Sequence, residues 1–261
     1  MLPVPCYVLS DTHLGVASDE TAAKVAAFIK QLNGRAASLL INGDLFDFWF
    51  EWRHVIPREG FRVLAAIGDL VDSGTPVLWN AGNHDCWGGD VLRKDLGISY
   101  HIGAWRGTIG TWETLVEHGD GLRRVEDRRY RALRTVIRNP WSIRAFRWLH
   151  PDVGSWLAGG SSRASRVYRA KDRGEGLRRI AHATLDRDRA LDLVIFGHTH
   201  VAALERAPSG GVYANAGSWL DDPTYLRVDE SRISLERWRG SPEGECLHSI
   251  DRCAEESLPQ S

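Results

Sequence analysis

Seven short apolar runs, each bounded by polar or glycine-rich residues, constrain this chain more than any other feature. They read "VPCYVLS", "ASLLINGD", "TPVLWNAGN", "ETLVEHGD", "LDLVIFGH", "GVYANAGSW" and "TYLRVD". Their length and β-branched content fit buried strands better than helices. Between the first three lie "DETAAKVAAFIKQL" and "EGFRVLAAIGDLVDSG". The apolar residues of those two stretches recur at three- and four-residue spacing, which predicts amphipathic helices. Strand alternating with helix predicts an α/β core that begins with a largely parallel sheet.

The residues just after the predicted strands narrow the chemistry. Asp11 and His13 stand in "SDTHLG", Asp44 and Asp47 in "NGDLFDFW", and Asn83, His84 and Asp85 in "AGNHDCW". His118 and Asp120 stand in "EHGDG", and His198 and His200 in "FGHTH". Open α/β sheets bind ligands outside the carboxyl ends of their strands, so five strand ends bring these groups to one edge. An Asp-x-His alone is a common turn, and a lone His at a strand end is most often a surface residue. Five such pieces in order, each with glycine beside it, point instead to one site. Glycine suits loops that bring backbone close to a ligand.

The donor set mixes imidazole, carboxylate and amide oxygen and holds no thiolate. That suits Mn²⁺, Fe or Zn²⁺ and disfavours an all-oxygen Ca²⁺ cage. A carboxylate such as Asp44 can bridge two cations about 3.5–4 Å apart, a pair that neutralises phosphoryl oxygens and generates a nucleophile from water at neutral pH. Phosphoester hydrolysis is the reaction this arrangement serves best.

The ordered set Asp-x-His, Gly-Asp-x-x-Asp, Gly-Asn-His-Asp, His-Gly-Asp and Gly-His-x-His resembles the calcineurin-like metallophosphoesterase superfamily. The resemblance implies an α/β fold of two packed β-sheets flanked by helices in four layers. It implies one cation held by Asp11, His13, Asp44 and His200, and a second held by Asp44, Asn83, His118 and His198. His84 would act on the phosphate or leaving group, oriented by Asp47. A narrower resemblance rests on "GDLFDFWFEW", "GNHDCWGG" and a long basic insertion after "HGDG". These are similar to the UDP-2,3-diacylglucosamine hydrolases of lipid A synthesis. Such enzymes cleave a UDP-linked, doubly acylated glucosamine into UMP and a lipid sugar 1-phosphate. The resemblance makes the insertion a helical cap over the acyl chains. It matches Asp127 and Tyr130 to substrate contacts after His-Gly-Asp, and sets Arg163 and Lys171 roughly where the cap offers polar and basic groups.

The charge distribution agrees with an anionic partner for that insertion. Residues 121–190 carry 18 Lys and Arg against 7 Asp and Glu, a balance of +11, within a chain of net charge −1. Inside this block Trp141, Trp148 and Trp156 lie among Ile143, Phe146, Leu149, Val153 and Leu157, with Arg144 and Arg147 interleaved. Such a stretch can be a helix packing on the core, a lipid- or membrane-facing element, or a nucleic-acid surface. Its tryptophan density beside apolar residues favours lipid, so Trp148 and Trp156 are expected to contact acyl chains and no nucleic acid is expected. A soluble phosphoesterase for nucleotides, phosphoproteins or nucleic acid is the alternative enzyme, and a metal-free scaffold the non-catalytic one.

One domain over residues 1–240 is expected, with the cap at 122–190 and a loosely held tail at 241–261. The four cysteines form no disulfide framework, and "MLPVPCYVLS" lacks the pattern of a secretory leader. The expected location is the cytoplasm, with peripheral contact at the inner membrane.

Overall fold

In β1 (Cys6–Leu9) alternate residues serve two different cores, as the two-residue period of a strand requires. Cys6 and Val8 face inward between two sheets with Leu40, Leu78, Ile195 and Ala214. Tyr7 and Leu9 face outward beneath helices, among Phe28, Ile29 and Ile67. The computed structural model that reveals this describes residues 1–158, 173–241 and 243–252.

β1 pairs in parallel with β2 (Ser38–Asn42), β2 with β3 (Val77–Ala81), and β3 with β4 (Ser99–Ile102). On the other side of β1 the chain adds three strands in antiparallel order: β10 (Thr224–Val228), β11 (Arg232–Arg237) and β12 (Glu245–Asp251). The second sheet runs β5 (Trp105–Ile109), β6 (Trp112–Val116), β7 (Leu193–Phe196), β9 (Val212–Asn215), β8 (Ala203–Arg206). Its central strands β6, β7 and β9 are parallel.

Helices α1 (Asp19–Gln31) and α2 (Phe61–Asp72) cover the first sheet. The cap comes next as α3 (Arg128–Ile137), α4 (Pro140–Phe146) and a helical stretch α5 at 151–158. Asn139 caps α4 by accepting from the Trp141 N–H at 2.8 Å, with Pro140 in the first turn where its missing N–H costs nothing. Last comes α6 (Glu175–Arg187) over the second sheet. Two sheets between two helical layers is the α/β architecture the resemblance implied.

Two expectations change. The expected cap reaches residue 190, but α6 packs Leu177, Ala181 and Leu185 against Val194, Phe196 and Tyr213 and so belongs to the core. Its four-residue apolar spacing makes one buried stripe that the arginines around it obscure. The C-terminal stretch expected as a loose tail instead supplies β12, which lies against β11 with only Ile250 buried.

Candidate metal centre

The motif residues leave their strands in a backbone conformation that side chains rarely adopt. Asp11, His13, Asp44, His198 and His200 have φ of 53°, 46°, 51°, 65° and 62°. Among the described residues Arg173 is the one other non-glycine residue with positive φ. Left-handed backbone is costly away from glycine and persists where the surrounding structure over-determines it, typically at functional sites. The glycines beside these residues make room. A Cβ on Gly82 would strike the Asp44 carboxylate, and one on Gly43 would strike the His118 imidazole.

Three overlapping groups of donors converge at the strand ends: Asp11, His13 and His200; Asp44, His118 and His198; and, between them, His13, Asp44 and His84. His13 Nε2 and His200 Nε2 lie 3.0 Å apart, and Asp11 Oδ1 lies 3.4 Å from His200 Nε2. Asp44 sits between the groups. Its Oδ1 accepts from the His84 N–H at 2.9 Å. Its Oδ2 is 3.2 Å from His118 Nε2 and 3.8 Å from His13 Nε2. Asp11 Oδ1, Asp44 Oδ2, Asn83 Oδ1 and His118 Nε2 are all buried without a hydrogen-bond partner. Buried orphans are costly, and here they crowd one spot.

The electrostatics call for positive charge there. His118 Nδ1 faces the Asn42 carbonyl at 2.9 Å. A carbonyl can only accept, so the ring proton sits on Nδ1 and a neutral ring turns its Nε2 lone pair toward Asp44. Burial opposes charge on this imidazole, yet Asp44 and Asp11 push its pKa up to about 10. The Asp44 carboxyl is likewise held well below the usual range despite burial, by His118, His84 and His13. Two buried carboxylates among four imidazoles, with donor atoms aimed at each other, fit divalent cations at nitrogen and oxygen distances of about 2.0–2.2 Å.

His84 and Asp47 sit beside this cradle in a way the sequence did not specify. His84 Nδ1 donates to the main-chain carbonyl of Asp47 at 2.7 Å, whereas the Asp47 carboxylate is 3.8 Å away. That carboxylate is closer to His13 Nδ1, at 3.4 Å. Asp47 therefore holds His84 through its backbone and turns its side chain toward His13. Sequence reasoning also gave no role to Asp85. Its carboxylate accepts from the N–H groups of Gly82 and Leu45 at 2.7 and 2.9 Å and fixes the loop that carries Asn83 and His84. The "GNHD" spacing was the available signal for it.

Next to His84 opens a cavity of about 320 Å³. Asp47, Asn83 and His84 form its polar end; Phe48, Phe50, Trp87, Val136, Ile143 and Phe146 make most of the rest apolar. Phe146 meets Phe48 edge-on and Phe50 and Trp52 at a tilt, so α4 rests on the aromatic loop after β2. Of the two residues matched to substrate contacts, Tyr130 lines this cavity and Asp127 does not. Its carboxylate is taken by Arg123, with Nη2 at 2.8 Å and Nε at 3.1 Å. Trp148 and Trp156 are also outside it, 91% and 72% exposed. They lie on the solvent side of the short cap helices, and Phe146 and Ile143 take the inner places instead. Arg163 and Lys171 lie outside the described residues.

Fold and donor set together define a metal-dependent phosphoester hydrolase. Residues 4–202 match the calcineurin-like phosphoesterase family, and the chain belongs to it. Its similar relatives include the UDP-2,3-diacylglucosamine hydrolase of Porphyromonas gingivalis, 29% identical over 88% of this chain and 96% of that protein. Proteins of that name from Salmonella arizonae and Pseudomonas fluorescens are 27% and 28% identical, each over 87% of this chain and 96% and 92% of their own length. Among the described residues no helix is long and apolar enough to cross a membrane.

Proposed function

We propose that this protein hydrolyses the diphosphate of UDP-2,3-diacylglucosamine to UMP and 2,3-diacylglucosamine 1-phosphate, using two divalent cations, Mn²⁺ foremost. The observation that carries the reading is the cavity, an apolar chamber whose polar end is Asn83, His84 and Asp47. A doubly acylated sugar diphosphate needs that adjacency of hydrocarbon and charge. Each methylene buried in such a chamber contributes about 0.8 kcal/mol. The named relatives support the same substrate.

Asp11, His13, Asp44 and His200 would hold one cation, and Asp44, Asn83, His118 and His198 the other. When bound, such a pair supplies neutralisation of phosphoryl charge and activation of water. The protein's own groups do the rest. Asp44 would be shared by both positions: its Oδ1 is fixed by the His84 N–H, and its Oδ2 lies 3.2 Å from His118 Nε2 and 3.8 Å from His13 Nε2. His84, whose Nδ1 donates to the Asp47 carbonyl, has its Nε2 3.9 Å from Asp44 Oδ2 and would act from there on a phosphate oxygen or leaving group. In its cationic form that nitrogen donates a proton. The Asp47 carboxylate steadies His13, and acyl chains entering between the apolar walls would displace water from the chamber.

The outer face of the cap suits an anionic membrane surface, from which such a substrate is drawn. Trp141, Trp148 and Trp156 are exposed there, with Arg144 over the Trp141 ring at 5.3 Å. Tryptophan beside arginine favours an interface that is apolar on one side and wet on the other. The deciding experiment offers the Mn²⁺-loaded protein UDP-2,3-diacylglucosamine and the same nucleotide sugar without acyl chains, with products read by mass spectrometry. The expected result is UMP and the lipid 1-phosphate, with kcat/KM lower by orders of magnitude for the deacylated compound. Equal turnover of both would overturn the lipid assignment and leave a general phosphoesterase.

A further inference from the structure

Asp120 lies two residues beyond His118, is buried, and has no place in the proposed ligand set. Its Oδ2 accepts from Tyr130 Oη at 2.6 Å and from Arg138 Nη2 at 3.2 Å, and Arg134 donates to its main-chain carbonyl at 3.2 Å. The Arg138 guanidinium also lies beside the thiol of Cys86, two residues beyond His84. The adjacent Trp87 Nε1 donates to the Ile137 carbonyl at 3.0 Å. The end of α3 thus grips two strand-end loops at once: the one carrying His118 and the one carrying Asn83 and His84.

The grip matters because α3 has little else to hold it. The helix contains no buried residue, so no hydrophobic core fixes its position. Yet its Leu133, Val136 and Ile137 form a wall of the cavity. The two loops, by contrast, are fastened from the core side, by His118 Nδ1 to the Asn42 carbonyl and by the Asp85 carboxylate to two backbone N–H groups. Cutting the contact should therefore move the helix and leave the loops. An arginine suits the task because its planar guanidinium meets the Asp120 carboxylate in a fixed direction, which a lysine ammonium cannot reproduce.

We infer that Asp120, Tyr130 and Arg138 form a clasp that sets the cavity wall at a fixed distance from the reacting groups. Arg138 is its positioning residue, selecting for substrates long enough to touch that wall. The inference rests on the lipid reading for its substrate, but the clasp has a readout of its own.

The test uses Mn²⁺-loaded protein and compares wild type with Arg138→Gln, Arg138→Lys and Tyr130→Phe. Four quantities are read: hydrogen exchange over residues 128–146, bound metal, and kinetics on UDP-2,3-diacylglucosamine and on bis(4-nitrophenyl) phosphate. Arg138→Gln should speed exchange across α3 and raise KM for the acylated substrate about 10- to 100-fold, the scale of a misplacement near 1 Å. Metal content should hold, and turnover of the small diester should stay within about two-fold. Arg138→Lys should recover part of the KM, and Tyr130→Phe should give a smaller effect of the same sign. Should Arg138→Gln not fold, Arg138→Lys, which keeps the charge and loses the planar fork, carries the same comparison. Unchanged exchange with an unchanged KM ratio would overturn the clasp. So would equal losses on both substrates accompanied by metal loss, which would assign Arg138 to loop integrity. If wild type ignores the acylated compound, the lipid reading fails by itself. Faster exchange across α3 in Arg138→Gln would then still support the clasp, and unchanged exchange would reject it.

Discussion

The metal centre and the cap are neighbours built on opposite physical terms. At the centre Asp11, His13, Asp44 and His118 are at most 1% exposed, the first three on left-handed backbone. In the cap, α3 and α4 contain no buried residue and expose tryptophan and arginine. Packing fixes the first, and polar attachments with a few aromatic contacts hold the second. The difference teaches where precision is needed. Reacting atoms tolerate little displacement, so their carriers sit at strand ends that are mostly buried. A chamber for flexible chains needs only apolar walls at about the right spacing.

Predictions that probe this contrast run from large effects to small. Asp44→Ala should abolish metal-dependent turnover and the binding of both cations, checked by metal analysis alongside activity. One fully retained ion would show that Asp44 does not bridge. His84→Ala should keep both metals and lower kcat by about 10²–10⁴, the usual worth of a positioned proton donor. Metal loss at an unchanged rate per bound ion would make His84 a ligand instead.

On the cap side, Phe146→Ala should flatten the dependence of kcat/KM on acyl length while sparing a small aryl phosphodiester. Trp148→Ala should leave that dependence intact, change stability by less than about 0.5 kcal/mol, and weaken binding only to anionic vesicles. A reversed pattern would move the acyl site to the outer face. The smallest effect concerns the thiols. Burial pushes Cys6 and Cys86 up to about 12, so both stay protonated and unreactive from pH 7 to 9. Iodoacetamide on native protein should modify the exposed Cys246 and neither of these, as read by peptide mass.

Legibility in the sequence tracked burial. Every strand recognised from its apolar run lies inside a sheet. The runs passed over five strands: β4, β5, β8 and β12, which are the four sheet edges, and β11, which lies inside the first sheet. Edge strands bury fewer side chains, as in β12 with Ile250 alone, and so write a weaker alternation into the sequence. The same logic hid α6, whose single apolar stripe of Leu177, Ala181 and Leu185 lies among arginines.

By itself the sequence determined the class of the core and its chemistry. Strand periodicity and the order of Asp, Asn and His after each run are local properties, and the residue types limit what they can bind. Only the tertiary structure decided who faces whom. It turned the Asp47 carboxylate toward His13 and gave His84 the Asp47 backbone instead. It paired Asp127 with Arg123, and sent Trp148 outward while Phe146 went in. The physical reason is that the direction of a side chain depends on backbone angles and on packing partners far away in the chain. A list of residue types carries the first weakly and the second not at all.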